Sequence, residues 1–188
     1  MNLFNQLGKV LVVGCLLLLT TAMTAQEIKS RPYQARWTTD LEDWQVVDNK
    51  YESKTWMWKA AETLKITDSK RANDDWLISP AIDFSGKGAK KVTLSAAWNK
   101  AQSSNIALYY SLNYDGNQEG AEWVLVEEQI IPDGHPYGFK SAAFYLFSKK
   151  LKLTAPKVHF AIRYMPHNEA GESQNEIRIH RFKVTDKN

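Results

Sequence analysis

Residues 158–164 form the run Val158-His159-Phe160-Ala161-Ile162-Arg163-Tyr164. Large apolar side chains occupy every second position, and polar side chains stand between them at His159 and Arg163. Successive side chains of a β-strand point to opposite faces. The run therefore predicts a strand with one face in a core and the other turned outward.

Further short stretches of β-rich or alternating character lie on either side of this run and are separated by turn residues such as those of 113–117 and 132–134. With residues 158–164 they make about ten predicted strands: Asp43–Asp48, Thr55–Ala60, Thr63–Thr67, Trp76–Ile78, Lys91–Trp98, Ile106–Leu112, Trp123–Ile131, Ala142–Phe147, Val158–Tyr164 and Ile177–Val184. The chain shows no convincing amphipathic helix. We therefore predict an all-β fold, a two-sheet antiparallel jelly-roll sandwich.

Length and composition favour one globular domain. The chain has 188 residues, of which 44% are hydrophobic and 12% aromatic, so it can bury a substantial core. Its formal net charge is only +3, whereas proteins that bind nucleic acid by neutralising phosphates usually carry a larger excess of Lys and Arg. We therefore expect no nucleic-acid partner.

Residues 1–25 have the layout of a secretory signal peptide. Lys9 precedes an uncharged apolar run from Val10 to Leu19, and small residues lead to Ala25, after which we expect cleavage. The run is too short to span a bilayer, so no stable membrane insertion of the mature chain is expected. The domain is then residues 26–188, exported to the periplasm, the cell surface or the medium.

Cys15 is the single cysteine of the sequence and lies within this segment. In an alternative interpretation, Val12-Val13-Gly14-Cys15 is a lipobox and Cys15 is the acylated first residue of a lipoprotein. Either way, residues 26–188 contain no cysteine for a disulfide, a thiolate nucleophile or a Cys-ligated metal.

A family resemblance rests on the segment Asp74-Asp75-Trp76-Leu77-Ile78-Ser79-Pro80-Ala81-Ile82-Asp83, supported by Trp44 to Asn49 and by Thr55-Trp56-Met57-Trp58. These stretches resemble the choice-of-anchor J and cleaved-adhesin group of secreted β-sandwich domains, which is common in Bacteroidetes. That group is related to MAM-type and galactose-binding-like jelly rolls. The resemblance covers roughly residues 35–185 and implies a secreted module for adhesion or binding.

The resemblance also implies a structural Ca²⁺, because jelly rolls of this group often carry one. Oxygen-rich candidates for its ligands are Asp40, Asp43, Asp48, Asp75 and Glu176. Asp48 and Asp75 are the two positions that match the family pattern. Alternatively, Asp74 and Asp75 serve as turn formers after Asn73.

No catalytic constellation is visible, and we predict that the protein is not an enzyme. The sequence contains no nucleophile elbow, phosphate loop, dinucleotide fingerprint or His-Glu-x-x-His pair. Glu127 and Glu128 are adjacent on a predicted strand, so their side chains point to opposite faces. His159 and His180 lie on outward positions of predicted strands, as solvated side chains or as a transition-metal pair.

Aromatic residues provide the ligand-binding candidates. Sugar-binding sandwiches use exposed Trp and Tyr rings as platforms, while polar side chains take the sugar hydroxyls. Tyr114 and Tyr137 fall in predicted turns, where a large exposed ring suggests function. Trp56 and Trp58 share one face of a predicted strand, and the resemblance suggests that one of them is core. The predicted ligand-binding residues are therefore Tyr114, Tyr137 and Trp58.

Two functions remain open. The first is a non-catalytic module that binds a glycan or a surface protein through loop aromatics and polar side chains. The second is a structural or accessory domain that docks to an envelope protein, which an open edge strand or an aliphatic patch would favour. A hydrolase is less favoured, because it needs a cleft with convergent carboxylates or a histidine-centred site.

Overall fold

The computed structural model describes residues 27–49, 55–59, 63–67, 74–99, 104–136, 138–140, 143–166 and 176–186. Its strands are β1 Tyr33–Ala35, β2 Gln45–Asp48, β3 Met57–Lys59, β4 Thr63–Thr67, β5 Asp75–Ile78, β6 Lys90–Trp98, β7 Ser104–Ser111, β8 Val124–Glu127, β9 Tyr145–Leu151, β10 His159–Pro166 and β11 Glu176–Asp186. The predicted signal peptide lies outside the described residues. No helix among the described residues has the length and apolar character needed to cross a membrane.

These strands form two antiparallel sheets. The five-stranded sheet has the order β2-β5-β10-β7-β8, and the six-stranded sheet has the order β3-β4-β11-β6-β9, with β1 also pairing with β11. Neighbours within a sheet are mostly not consecutive in the chain, because the chain crosses from one sheet to the other. This is the predicted all-β jelly-roll sandwich.

The core lies between the inner faces of the two sheets. From β10 it receives Phe160, Ile162 and Tyr164, all fully buried, which confirms the alternation of the sequence. Phe160 meets Phe182 of β11 with ring centroids 5.3 Å apart. Trp44 packs edge-on against the same Phe182 ring at 5.1 Å. Aromatic contacts therefore link the two sheets at their centre.

A β-bulge in β11 changes which residues of the strand face the core. The register with β6 shifts between Ile179 and Arg181, so His180 is the extra residue. Without that shift, Arg181 would point into the core and Phe182 outward. The bulge keeps Phe182 and Val184 buried and turns Arg181 to the outer face.

A second apolar cluster lies on the outer face of the five-stranded sheet. Its buried members are Trp76, Ile78, Tyr114 and Ala161. The segment 112–123 between β7 and β8 folds back over this face, and Trp123 packs against the cluster. Leu77, which points the other way, is in the main core. The face that the sequence presents as outward is therefore partly roofed by the chain itself.

The predicted strands are confirmed, with different boundaries at several positions. The predicted strand Trp123–Ile131 is only Val124–Glu127. The predicted strand Ala142–Phe147 is instead Tyr145–Leu151, because the backbone of the polar run 148–150 continues to pair with β6. The three-residue strand β1 was not predicted, since so short a stretch shows no periodicity.

Candidate functional site

The outer face of the five-stranded sheet carries a concentrated set of polar and aromatic groups. Strand register places Val47, Trp76, Arg163 and Ala107 in one row across β2, β5, β10 and β7. Asp74 precedes Trp76 by two residues and lies on the same face. Small Ala107 leaves room beside the Arg163 side chain. We call this surface, with Asn49, Tyr109, Gln118 and Trp123, the aromatic face.

Three rings form the aromatic part of this face. Trp76 is almost fully buried, and its ring lies 5.4 Å from that of Tyr109 and 5.3 Å from that of Trp123. Tyr109 and Trp123 are themselves only partly buried. Trp123 is held in place because its indole nitrogen donates to the Gln118 carbonyl at 3.1 Å. The buried ring therefore supports two rings that remain accessible at the surface.

A chain of polar side chains borders these rings. Arg163 donates to both carboxylate oxygens of Asp74, at 2.7 and 3.0 Å, and its guanidinium lies over the Trp76 ring at 4.8 Å. The Trp76 indole nitrogen donates to Asp74 at 3.0 Å. The Asn49 amide reaches Asp74 and Gln118 at 3.4 and 3.5 Å. These contacts fix both partners of the ion pair in one geometry.

The electrostatics of this chain keep Asp74 ionised. Burial alone would raise the pKa of its carboxyl, but the hydrogen bonds and charge of Arg163, with bonds from Asn49 and Trp76, outweigh burial and lower the pKa. The bonds with Asp74 raise the pKa of Arg163. The aromatic face therefore offers a fixed carboxylate, a fixed guanidinium and two amides next to partly exposed rings.

Of the three predicted ligand-binding residues, Tyr114 is wrongly expected to be exposed. Its ring is 1% exposed, and its hydroxyl donates to the Gln45 side chain at 2.6 Å. The ring packs against Trp123 at 5.5 Å and edge-on against His159 at 4.9 Å. The segment 112–123 uses Tyr114 as its anchor in the second cluster, so this ring is not available as a surface platform.

The other two candidates have different outcomes. Tyr137 lies outside the described residues. Trp58 is 41% exposed at the β3 edge of the six-stranded sheet, and its indole nitrogen donates to the Trp37 carbonyl at 2.7 Å. Trp56, two residues earlier, is buried in the main core. Trp58 is therefore an accessible ring, on a different part of the surface from Tyr109 and Trp123.

The five predicted calcium ligands do not come together. Asp48 and Asp75 are register partners on β2 and β5, whereas Glu176 is on β11 of the other sheet. Asp43 instead pairs with Lys29 at 3.1 Å, and Asp40 accepts from the Glu42 backbone at 2.7 Å. In the described ranges, no three His, Cys, Asp or Glu side chains form a group that could hold a metal ion. The described residues do not fit the expected calcium site.

The two histidines that the sequence placed on outward positions are also separated. His159 is on β10 and His180 on β11, so they belong to different sheets and cannot form a metal pair. His159 is fully buried under Tyr114, not solvated, and its Nδ1 lies 2.9 Å from the Ser79 carbonyl oxygen. Burial lowers the pKa of His159, the charge of Lys157 lowers it further, and the Ser79 bond opposes these effects.

A cleft of about 410 Å³ lies elsewhere and is lined by Glu27, Lys29, Asp43, Trp44, Gln45 and Pro80. Lys29 bridges Glu27 and Asp43 across it, at 2.8 and 3.1 Å. The charged groups of this cleft therefore satisfy one another.

Sequence reasoning did not select Tyr109, Trp123 or Arg163 for the site. Arg163 is the most visible signal, because a charged side chain at the centre of an otherwise apolar strand has to face outward. Trp76 in the family-like segment has that outward direction too, through its register with Arg163. The position of Trp123 depends on how segment 112–123 folds back, which no local pattern encodes.

Comparisons with known proteins place the fold. No family model and no curated protein matches the chain. The K1 cleaved adhesin domain of Lys-gingipain (Kgp) from Porphyromonas gingivalis W83 is similar, with a TM-score of 0.58 and 15% identity over 83% of this chain and 98% of that chain. The K3 cleaved adhesin domain of the same protein has a TM-score of 0.53 and 16% identity over 82% and 98%.

TmCBM61, solved in complex with β-1,4-galactotriose, has a TM-score of 0.49 and 15% identity over 79% of this chain and 91% of that chain, a similarity too low to support an argument. At these identities the two adhesin domains establish a common fold and nothing about a ligand. This chain thus has a β-sandwich of the kind found in cleaved adhesin domains.

Proposed function

We propose that the protein is an exported, non-catalytic module of the choice-of-anchor J type that binds a glycan at the aromatic face. The observation that carries this proposal is the pair of partly exposed rings, Tyr109 and Trp123, next to the fixed Asp74–Arg163 pair. Sugar rings present C–H groups that pack on aromatic faces and hydroxyls that need donors and acceptors. The aromatic face supplies both within one patch.

The groups at this face suit binding better than catalysis. Asp74 is ionised and accepts from Arg163, Trp76 and Asn49, so it is not a proton donor and serves to hold the groups around it in place. Arg163 bonds to Asp74 and to Tyr109, and its guanidinium has five N–H donors, so it keeps donors for a ligand. The adhesin names of the K1 and K3 neighbours are consistent with a role in surface binding.

A glycan array tests the proposal, with wild-type residues 26–188 and two matched variants. Trp123→Ala removes one partly exposed ring of the aromatic face, and Trp58→Ala removes a more exposed ring elsewhere. We expect selective retention of a glycan by the wild type and by Trp58→Ala, and at least about a tenfold loss in Trp123→Ala. Thermal melting of each variant shows whether it is folded.

The reverse pattern, binding lost in Trp58→Ala and kept in Trp123→Ala, would move the site to the edge of the other sheet. A second variant, Asn49→Ala, removes a partly exposed amide and leaves the rings in place. If Trp123→Ala does not fold, Asn49→Ala still tests whether the aromatic face binds the glycan.

A second candidate function is docking to an envelope protein through β8. This strand is the edge of the five-stranded sheet, and Leu112, Val124 and Leu125 near it are 52%, 40% and 49% exposed. An open edge with apolar side chains can accept a strand from a partner. A Leu125→Lys variant would then lose a co-purifying envelope protein and keep any glycan binding.

A further inference from the structure

The outer face of the six-stranded sheet lies on the opposite side of the sandwich from the aromatic face. On β11, the core takes Ile177, Ile179, Phe182 and Val184. The intervening side chains Arg178, Arg181 and Lys183 therefore point outward. The central strand of this sheet presents a line of three cations to its outer face.

Strand register extends this line sideways. Lys65 of β4 lies opposite Arg178. Lys91 of β6 lies opposite Lys150 of β9, and both are outward because Val92 and Phe147 turn inward. Neighbouring strands are about 4.8 Å apart, and outward residues on one strand are about 6.6 Å apart. Cations thus occur on four adjacent strands over the same surface, which we call the basic face.

The charge of the basic face is one-sided. Among the described residues, its outward positions carry seven Lys or Arg residues and one Glu, namely Lys59, Lys65, Lys91, Lys150, Arg178, Arg181, Lys183 and Glu176. The whole chain has a formal net charge of only +3. The rest of the molecule is therefore net negative, and positive charge is concentrated on this one sheet face.

Most of these cations are not neutralised within the protein. Glu176 pairs with Arg178 and, at 3.9 Å, with Lys59. Within the described part of the chain, no ion pair involves the remaining five cations, Lys65, Lys91, Lys150, Arg181 and Lys183. Clustered like charges repel one another and cost stability unless an anion is bound.

The spaces between the cations carry small hydroxyl side chains. Lys183 has Thr93 and Ser148 beside it across the sheet, and Arg181 has Ser95. We propose that the basic face binds an acidic polysaccharide, whose carboxylate or sulfate groups contact the cations while its hydroxyls contact Thr and Ser. The choice of a polysaccharide as the ligand rests on the proposed glycan-binding function, but the basic face is a different surface from the aromatic face.

The shape of the basic face favours a polysaccharide over nucleic acid. Four or more adjacent strands, about 4.8 Å apart, make this face wider than the major groove of about 12 Å, which admits an α-helix or a two-stranded ribbon. Binding of single strands relies on rows of stacked aromatic rings. Two rings lie at the Arg178 end of the face, where Phe139 covers the Arg178 guanidinium at 3.6 Å and Phe144 lies 5.6 Å from His180. The rows through Lys91, Lys183 and Arg181 carry Thr, Ser and Leu146 instead, so the described residues show no continuous row of rings along the cations. An extended chain with repeating anionic groups can lie flat along these rows.

Salt-dependent binding to immobilised heparin and polygalacturonate tests the proposal, with unsubstituted dextran and duplex DNA as comparison polymers. The face variant is Lys91→Gln with Lys183→Gln. The control variant is Lys87→Gln with Lys157→Gln, which makes the same charge change away from the outward positions of this sheet. Trp123→Ala is included to separate the two surfaces.

We expect the wild type to bind at least one acidic polysaccharide and not dextran. The face variant should bind at least about fivefold more weakly, with a smaller salt dependence, while the control variant and Trp123→Ala bind as the wild type does. Failure of the glycan array does not affect this pattern, because the aromatic face is not involved in it.

Three results would overturn the proposal. They are no binding of the folded wild type to either acidic polysaccharide at low salt, equal losses in the face and control variants, and binding to duplex DNA as strong as to the polysaccharides. The last result would identify the basic face as an unselective polyanion surface.

Discussion

Asp74 is the residue on which the geometry of the aromatic face depends most. Its two carboxylate oxygens accept from Arg163, and one of them also accepts from the Trp76 indole at 3.0 Å. The carboxylate thus joins a strand of the sheet to the ring beneath the accessible aromatics. A charged acceptor with several donors is stabilised in its ionised form.

Replacing Asp74 by Asn should destabilise the protein and change how its stability depends on pH. At pH 7 we expect a loss of about 1.5–3 kcal/mol in the free energy of unfolding, as for hydrogen bonds to charged groups. Because the folded pKa is lowered, this stabilisation is present above the unfolded pKa of about 3.9 and is lost as pH falls through the folded pKa.

Urea unfolding of the wild type and Asp74→Asn at pH 7, 4 and 3 measures both effects. The difference between the two proteins should shrink toward pH 3. Asp115→Asn, a change at an exposed turn carboxylate, is the matched control and should stay close to the wild type. A difference between the wild type and Asp74→Asn that is the same at all three pH values would contradict the role assigned to this carboxylate.

The burial of His159 should cause a second pH dependence of the unfolding free energy, at a higher pH than that of Asp74. Burial is the main reason that its folded pKa is lowered, so the unfolded chain takes up a proton first. Stability due to neutral His159 is then complete above the unfolded pKa of about 6.5 and decreases below it. His159→Asn should show a shallower decline in unfolding free energy from pH 7 to pH 5, and an unchanged slope would refute this assignment.

At the scale of elements, two loops shape the surface. Segment 112–123 roofs the outer face of the five-stranded sheet through Tyr114 and Trp123. The loop between β1 and β2 has positive φ at Trp37, Glu42 and Asp43, a region that non-glycine residues seldom adopt. The carboxylate of Glu42 accepts from the backbone nitrogens of Arg36 and Thr38, both at 3.0 Å, and so supports this conformation.

Tyr114→Ala should therefore destabilise the domain instead of acting as a clean binding mutation. Removing a fully buried aromatic ring typically costs about 3–5 kcal/mol, and here it also releases segment 112–123. Tyr114→Phe, which loses only the hydroxyl bond to Gln45, should cost about 1 kcal/mol. Chemical unfolding measures both, and a Tyr114→Ala variant as stable as the wild type would show that the ring is not an anchor.

Glu42→Ala tests the other loop. Two backbone donors would lose their acceptor, and we expect a loss of about 1–3 kcal/mol in unfolding free energy. The control is Glu27→Ala, whose carboxylate is 80% exposed and pairs only with Lys29 among the described residues, and which should change stability by less than about 0.5 kcal/mol. Equal effects of the two substitutions would rule out a special role for Glu42.

At the scale of the whole molecule, the two-sheet sandwich is predictable from about ten short β-rich stretches separated by turn residues, with no amphipathic helix. The alternation of residues such as Phe160 and Ile162 predicts which face of a strand is buried. The bulge at His180 is not predictable from local sequence, because it depends on the tertiary packing that keeps Phe182 in the core. The burial of Tyr114 was missed for a similar reason. A turn-like sequence predicts local backbone direction and not the surface on which the turn packs.

The two outer faces of the sandwich differ in chemistry. One carries partly exposed rings with an ion pair that is already satisfied, and the other carries cations that mostly lack partners. Strand alternation predicted Arg163 as outward, but the concentration of cations on the other sheet became visible only from strand order. Lys65, Lys91 and Arg178 are far apart in the sequence, and only the pairing of β4 and β6 with β11 places them on one surface.

The most direct test of glycan binding at the aromatic face is chemical-shift mapping of the backbone amides while the protein is titrated with the glycan that it retains. We predict that the largest shifts cluster at Asn49, Trp76, Tyr109, Gln118, Trp123 and Arg163. Shifts confined to the surroundings of Trp58 or to the basic face would contradict the account. So would a folded protein that retains no glycan at all.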